Sequence, residues 1–258
     1  MKNLLSLVFL MFLLSSRIFS QQELFEKNMF SDKNIQLQYR FSSPDTMISD
    51  QKYPLILYLH GAGERGDDNE ITLKNGILNF VTPENKVNYP CYILVPQCPK
   101  EYRWVEVHWS LPAHKTPDEI SLPLGAVMKL IEDIIQQHSI DTNRIYVTGL
   151  SMGGFGTWDL ISRYPGKFAA AVPVCGGGDT AFAKVLAQVP IWAFHGMNDQ
   201  VVIPQRSIDM VDAINKSGGN ARLTIYKNVA HNAWIRAYAD QYMIQWLFSQ
   251  TKQRRFDE

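Results

Sequence analysis

From residue 34 onward, short apolar runs alternate with longer stretches whose apolar positions recur every three or four residues. Residues 34–41 alternate polar and apolar side chains, as a half-exposed strand does. Residues 54–59, 91–95, 144–150, 168–175, 191–195 and 221–226 are mainly apolar runs, most of them bounded by Gly or Pro. That is the pattern of strands buried on both faces. Helical spacing covers residues 120–137, where Leu124, Val127, Met128, Ile131, Ile134 and Ile135 share a face. It recurs over 157–163, 205–214 and 234–248, with Pro165 and Gly218-Gly219 stopping two of these stretches.

Strands alternating with helices predict an α/β architecture, a mostly parallel central sheet with helices on both faces. In such sheets, ligands bind beyond the carboxyl ends of the strands. His60-Gly61, Ser151, Asp179, Asp199 and His231 all fall at predicted strand ends or just past them. No repeat, low-complexity tract or linker interrupts residues 21–258, which read as one domain. Residues 97–119 break the pattern. They carry many turn residues, with Tyr102, Trp104, His108, Trp109 and His114 among them. Irregular segments of that length are often lids or binding loops. Trp104 and Trp109 are the candidate substrate contacts there, for a flat or aromatic group.

The start of the chain reads differently. Lys2 precedes an apolar run at residues 4–14, broken only by Ser6, and small residues follow at Ser15, Ser16 and Ser20. This is the layout of a cleaved secretory signal peptide over residues 1–20. The run is shorter than the roughly 20 apolar residues of a membrane span. The expected address is therefore secreted or periplasmic, with no membrane span. No Cys follows the run, so a lipoprotein anchor is not indicated.

Composition narrows the classes further. The 258 residues are 46% hydrophobic, with 25 basic and 25 acidic side chains. Removing residues 1–20 takes away Lys2 and Arg17 and no acid, for a net charge of −2. A neutral chain without a basic run is not a general nucleic-acid binder. Disordered, collagen-like and disulfide-rich classes are excluded. Three cysteines are present, Cys91, Cys98 and Cys175. Cys91 and Cys98 bracket a predicted strand, which would set them about 23 Å apart, well beyond disulfide reach. All three read as small buried hydrophobes.

Gly149-Leu150-Ser151-Met152-Gly153 is a G-x-S-x-G pentapeptide between a predicted strand and a predicted helix. The nucleophile elbow requires that context: a strained turn lifts the serine above the sheet edge, and small residues let strand and helix approach. A serine hydroxyl needs a base, and the base needs an orienting group. In this architecture the chain order is Ser, acid, His. His60, His108, His114 and His138 precede Ser151, and His195 sits at a strand end where a structural role is expected. His231 is the expected base. Asp199 is the expected acid, with Asp179 as the alternative; Asp209 and Asp212 look like a solvated helix face. The oxyanion hole should combine the N–H of Met152 with one from the loop after an earlier strand, here Ala62 in Leu59-His60-Gly61-Ala62-Gly63. No H-E-x-x-H or comparable ligand cluster points to a metal.

Together with Glu64-Arg65-Gly66, Pro96-Gln97-Cys98-Pro99, Gly154-Phe155-Gly156-Thr157-Trp158, Phe194-His195-Gly196 and His231-Asn232-Ala233-Trp234, these motifs resemble α/β-hydrolase-fold serine esterases. The branch is the phospholipase/carboxylesterase and dienelactone-hydrolase-like group, also labelled predicted peptidases. It is similar to the feruloyl and acetylxylan esterases of carbohydrate esterase family 1. The resemblance spans nearly all of residues 21–258. It implies a Ser-Asp-His triad on Ser151, Asp199 and His231, and no cofactor. Two departures matter: dienelactone hydrolases use a cysteine where this chain has Ser151, and prolyl oligopeptidases carry a propeller for which this chain has no room.

Three readings follow. The leading one is a secreted carboxylic-ester hydrolase acting on small or polysaccharide-linked esters, feruloyl or acetyl among them. The second is a serine peptidase of the prolyl-oligopeptidase-like type acting on short peptides. The third is a carbohydrate-binding or scaffold protein that kept the fold without the chemistry; intact residues at all three triad positions weigh against it.

Overall fold

The structure is a computed structural model that describes residues 21–252. The expected signal peptide at 1–20 lies outside the described residues. Eight strands form one sheet in the order β1-β2-β4-β3-β5-β6-β7-β8. They are β1 (Glu26–Asp32), β2 (Ile35–Ser42), β3 (Tyr53–Leu59), β4 (Tyr92–Pro96), β5 (Ile140–Leu150), β6 (Ala170–Val174), β7 (Trp192–Gly196) and β8 (Arg222–Tyr226). β2 pairs antiparallel with both neighbours; every other pairing is parallel.

The α-helices are α1 (Pro83–Asn88), α2 (Leu122–Gln137), α3 (Met152–Arg163), α4 (Ala183–Leu186), α5 (Gln205–Lys216), α6 (Trp234–Ala239) and α7 (Gln241–Phe248). They divide between the two faces, and β3 shows why. Leu55, Leu57 and Leu59 join the cluster under α2 and α5, with Leu124, Val127, Ile131 and Ile214. Ile56 and Tyr58 point the other way, to Phe80, Tyr238, Ile244 and Leu247. A strand buried on both faces has no polar side to present, hence its unbroken apolar run. No helix among the described residues is long and apolar enough to cross a membrane.

The sequence pattern locates seven of the strands. It misses β1, whose largely exposed polar residues form an outer strand on a tight hairpin with β2. It also misses α1 and α4, too short for a periodic signal, and it starts α3 five residues late. The single helix expected over 234–248 is a correction: it is two. Asp240 takes extended backbone (φ −79°, ψ 106°), and its carboxylate accepts from the Tyr242 N–H to cap α7. The three cysteines are buried and unbridged.

Candidate active site

The elbow forms because two backbones touch. β3 and β5 are adjacent, with Leu59 opposite Gly149. A Cβ on Gly153 would sit 1.9 Å from the Leu59 carbonyl oxygen, and one on Gly149 would sit 2.4 Å from the Gly153 carbonyl oxygen. No side chain fits at either position. Between them, Ser151 takes φ 53°, ψ −117°. A non-glycine residue there stores on the order of 1–3 kcal/mol of strain. A bond from the Ser151 N–H to the Val174 carbonyl holds it, at 2.8 Å.

Three chain segments then converge. Ser151 Oγ lies 2.8 Å from His231 Nε2, and His231 Nδ1 lies 2.7 Å from Asp199 Oδ2. The carboxylate only accepts, so Nδ1 carries the proton and the Nε2 lone pair faces the serine hydroxyl. The loops bearing Asp199 and His231 are stitched together by a bond from the Asn198 N–H to the Val229 carbonyl. The Trp234 ring stands edge-on to His231 at 5.4 Å. The Asp199 side chain is fully buried. Burial alone would raise its carboxyl, but hydrogen bonds from His195, His231 and the Val202 N–H outweigh that and hold it well below the usual carboxylate range.

Asp179, the alternative acid, is elsewhere. It caps a 3-10 turn and accepts from the Ala181 and Thr116 N–H groups. Met152 opens α3 and Ala62 opens a 3-10 turn after β3. First-turn N–H groups have no intrahelical partner and are free to face an anion. The two loops flank each other, since a Cβ on Gly61 would meet the Leu150 side chain at 2.7 Å.

The assignment of Trp104 as a substrate contact is corrected. Its side chain has no exposure, and its Nε1 donates to the His60 carbonyl at 3.0 Å. Trp104 packs the irregular segment down onto α3 and the loop after β3. Trp109 is half-buried under the Arg103 guanidinium, 4.7 Å from the ring centre.

That segment, residues 97–121, has no helix or strand. Arginines from elsewhere hold it. Arg65 donates to the carbonyls of Lys100 and Tyr102. Arg206 donates to the Leu111 carbonyl and meets His114 Nδ1, and Arg163 donates to the carbonyls of Pro117 and Asp118. Burial, then the Arg206 cation, lower the His114 pKa to about 4, so its ring is a neutral acceptor. His60 joins the segment to the elbow. Its Nε2 accepts from the Cys98 N–H, so its Nδ1–H donates to the Gly61 carbonyl. Sequence reasoning gave no role to His60 beyond its strand end, and none to Arg206 or Ser207. The repeated His-Gly at the ends of β3 and β7 was the only signal available for the buried histidines.

Comparison with known proteins identifies the family and the fold. The family model described as Phospholipase/Carboxylesterase matches residues 47–243. A solved structure described as a thermostable esterase superposes with a TM-score of 0.84 at 38% identity, over 89% of this chain and 64% of that one. The bifunctional acetylxylan esterase/xylanase of Neocallimastix patriciarum is 37% identical over 76 residues, 30% of this chain and 11% of that protein. Poly(3-hydroxyalkanoate) depolymerase C of Paucimonas lemoignei is 31% identical over 127 residues, 48% of this chain and 28% of that protein. The chain thus spans between about a tenth and a little over a quarter of the length of these curated relatives.

Proposed function

The chain belongs to the phospholipase/carboxylesterase family of the α/β-hydrolase fold, and from that premise we propose that it is a serine carboxylic-ester hydrolase working through an acyl-enzyme. The observation that carries this reading is the unbroken relay from Ser151 through His231 to a buried, ionised Asp199, mounted on a strained elbow. Ser151 Oγ attacks the ester carbonyl, and His231 Nε2 takes its proton. Asp199 keeps the imidazole in the Nδ1–H tautomer and stabilises the cation that forms. The N–H groups of Ala62 and Met152 receive the oxyanion; losing one such donor costs about 10²–10³ in rate. His231 then protonates the departing alcohol, and water releases the acid by the reverse sequence.

The substrate reading is an ester carried on a polymer, an acetyl or feruloyl group on a polysaccharide. Support comes from relatives named for acetylxylan and poly(3-hydroxyalkanoate). Of the two tryptophans in 97–121, Trp104 is sealed and Trp109 is left for an aromatic contact. The apolar run at residues 4–14 supports an extracytoplasmic address. The test is turnover of p-nitrophenyl acetate, butyrate and octanoate, methyl ferulate and a peptide p-nitroanilide, with Ser151→Ala beside wild type. Loss of at least about 10⁴-fold in Ser151→Ala is expected, with loss of fluorophosphonate labelling and no change in melting temperature. Near-normal turnover by that variant rejects the mechanism. Anilide cleavage rivalling ester cleavage replaces the esterase with the peptidase.

A further inference from the structure

Asp199 is held by more than the triad. Its side chain is sealed from solvent, and an ionised carboxylate has about four acceptor positions to fill. Oδ1 accepts from the N–H groups of Val201 and Val202, at 2.9 and 3.0 Å. Oδ2 accepts from His231 at 2.7 Å and faces His195 Nε2 at 3.2 Å. His195 is itself fully buried. Its Nε2 also lies 2.8 Å from the Val202 carbonyl oxygen. A carbonyl and a carboxylate both only accept, so His195 Nε2 must carry a proton and share it between them.

The other side of the ring is held as well. His195 Nδ1 lies 2.7 Å from Ser207 Oγ, which is also 3.2 Å from the Gly176 carbonyl. The Ser207 hydroxyl is held between the ring and the Gly176 carbonyl, so the ring is braced on both sides. Cys175 completes the cluster, its sulfur within 4.8 Å of the His195 and Asp199 ligand-type atoms. Burial pushes its thiol up to about 12, so it is uncharged. Both ring nitrogens of His195 face protein partners, and the cluster is satisfied by hydrogen bonds.

We infer that His195 is a positioning residue for the triad. As an N–H donor at Nε2 it pins Asp199, and Ser207 braces the ring at Nδ1. The inference rests on the esterase reading only in calling Asp199 the triad acid. Its test has a readout that needs no substrate: the far-downfield proton resonance of the His231 Nδ1–H bond to Asp199. In the full chain, His195→Leu removes the donor, and His195→Gln returns an amide N–H near the Nε2 position. His195→Leu should shift or broaden that resonance and lower kcat at least about tenfold, with KM within about twofold. His195→Gln should keep the resonance and stay within about threefold of wild type. A folded His195→Leu variant with an unchanged resonance and kcat overturns the inference; so does equal impairment of both variants. Should His195→Leu fail to fold, Ser207→Ala decides: a moved resonance with unchanged circular dichroism supports the role, and an unmoved one rejects it. A protein that hydrolyses no ester would sink the esterase reading, and the resonance would still answer for His195.

Discussion

The elbow and the 97–121 segment are both irregular backbone at the carboxyl edge of one sheet, yet they are held in different ways. The elbow is fixed by main chain against main chain. Gly153 lies so close to Leu59 that nothing larger than hydrogen fits, and the Ser151 N–H bonds back to Val174. The segment is fixed by long side chains arriving from elsewhere, with Arg65, Arg163 and Arg206 each capturing its carbonyls. Backbone contact tolerates no adjustment. Side-chain anchors can be lost one at a time, and each loss should be local.

Gly153→Ala breaks the first kind of contact and should have the largest effect. The added methyl lands 1.9 Å from a backbone oxygen in the central strand, so β3 or α3 must move. Overpacking that cannot relax should cost at least about 3 kcal/mol, and ester hydrolysis should fall with it. Chemical denaturation measures the loss. A variant as stable as wild type would show that the two backbones are not locked as described.

His60 is the seam between the two regions, and its protonation tests both at once. Burial, with the Arg65 cation adding to it, lowers its pKa from 6.5 to about 4, so the folded state keeps it neutral. The unfolded chain binds a proton near pH 6.5, the folded chain only near 4. The stabilisation is therefore complete above pH 6.5 and is lost as pH falls from there toward 4. A shift of that size corresponds to about 3 kcal/mol. Glu64, raised by burial, acts in the opposite sense over part of this range, so the difference between His60→Gln and wild type isolates the histidine. The urea midpoint should fall between pH 7.5 and 4.5 in wild type and fall less in His60→Gln. Parallel curves would contradict a neutral His60 bridging Gly61 and Cys98.

This contrast also explains what the sequence disclosed. Gly149, Ser151 and Gly153 lie within one pentapeptide, and their requirement is local: only small residues fit those positions of the turn. Asp199 and His231 follow from chain order and strand ends. Trp104 was misassigned because an aromatic in a loop reads the same whether it faces substrate or, as here, donates its indole N–H to His60. The anchors were illegible for a related reason. Arg206 and Leu111 are 95 residues apart, and nothing in a lone arginine on an amphipathic helix announces a buried guanidinium. β1 was missed because an outer strand with polar exposed faces has no apolar run to show.

Arg206→Met sharpens the contrast from the side of the segment. Arg206 is 2% exposed, and its guanidinium lies over the Phe155 ring, 5.2 Å from its centre. Methionine fills much of that volume and keeps apolar contact with the ring. The Leu111 carbonyl and His114 Nδ1 lose their donor, a cost of about 2 kcal/mol if both stay buried. The segment has a cheaper response, because its tip near Leu111 is exposed and can turn those groups to water. The expected result is a global stability change of at most about 2 kcal/mol, with amide exchange accelerated across residues 108–116 and unchanged at Ser151 and Val174. Hydrogen exchange resolved by residue decides it. Faster exchange spreading into β5 and β6 would mean that the segment and the elbow form one cooperative unit, and that the side-chain anchors reach further than their hydrogen bonds.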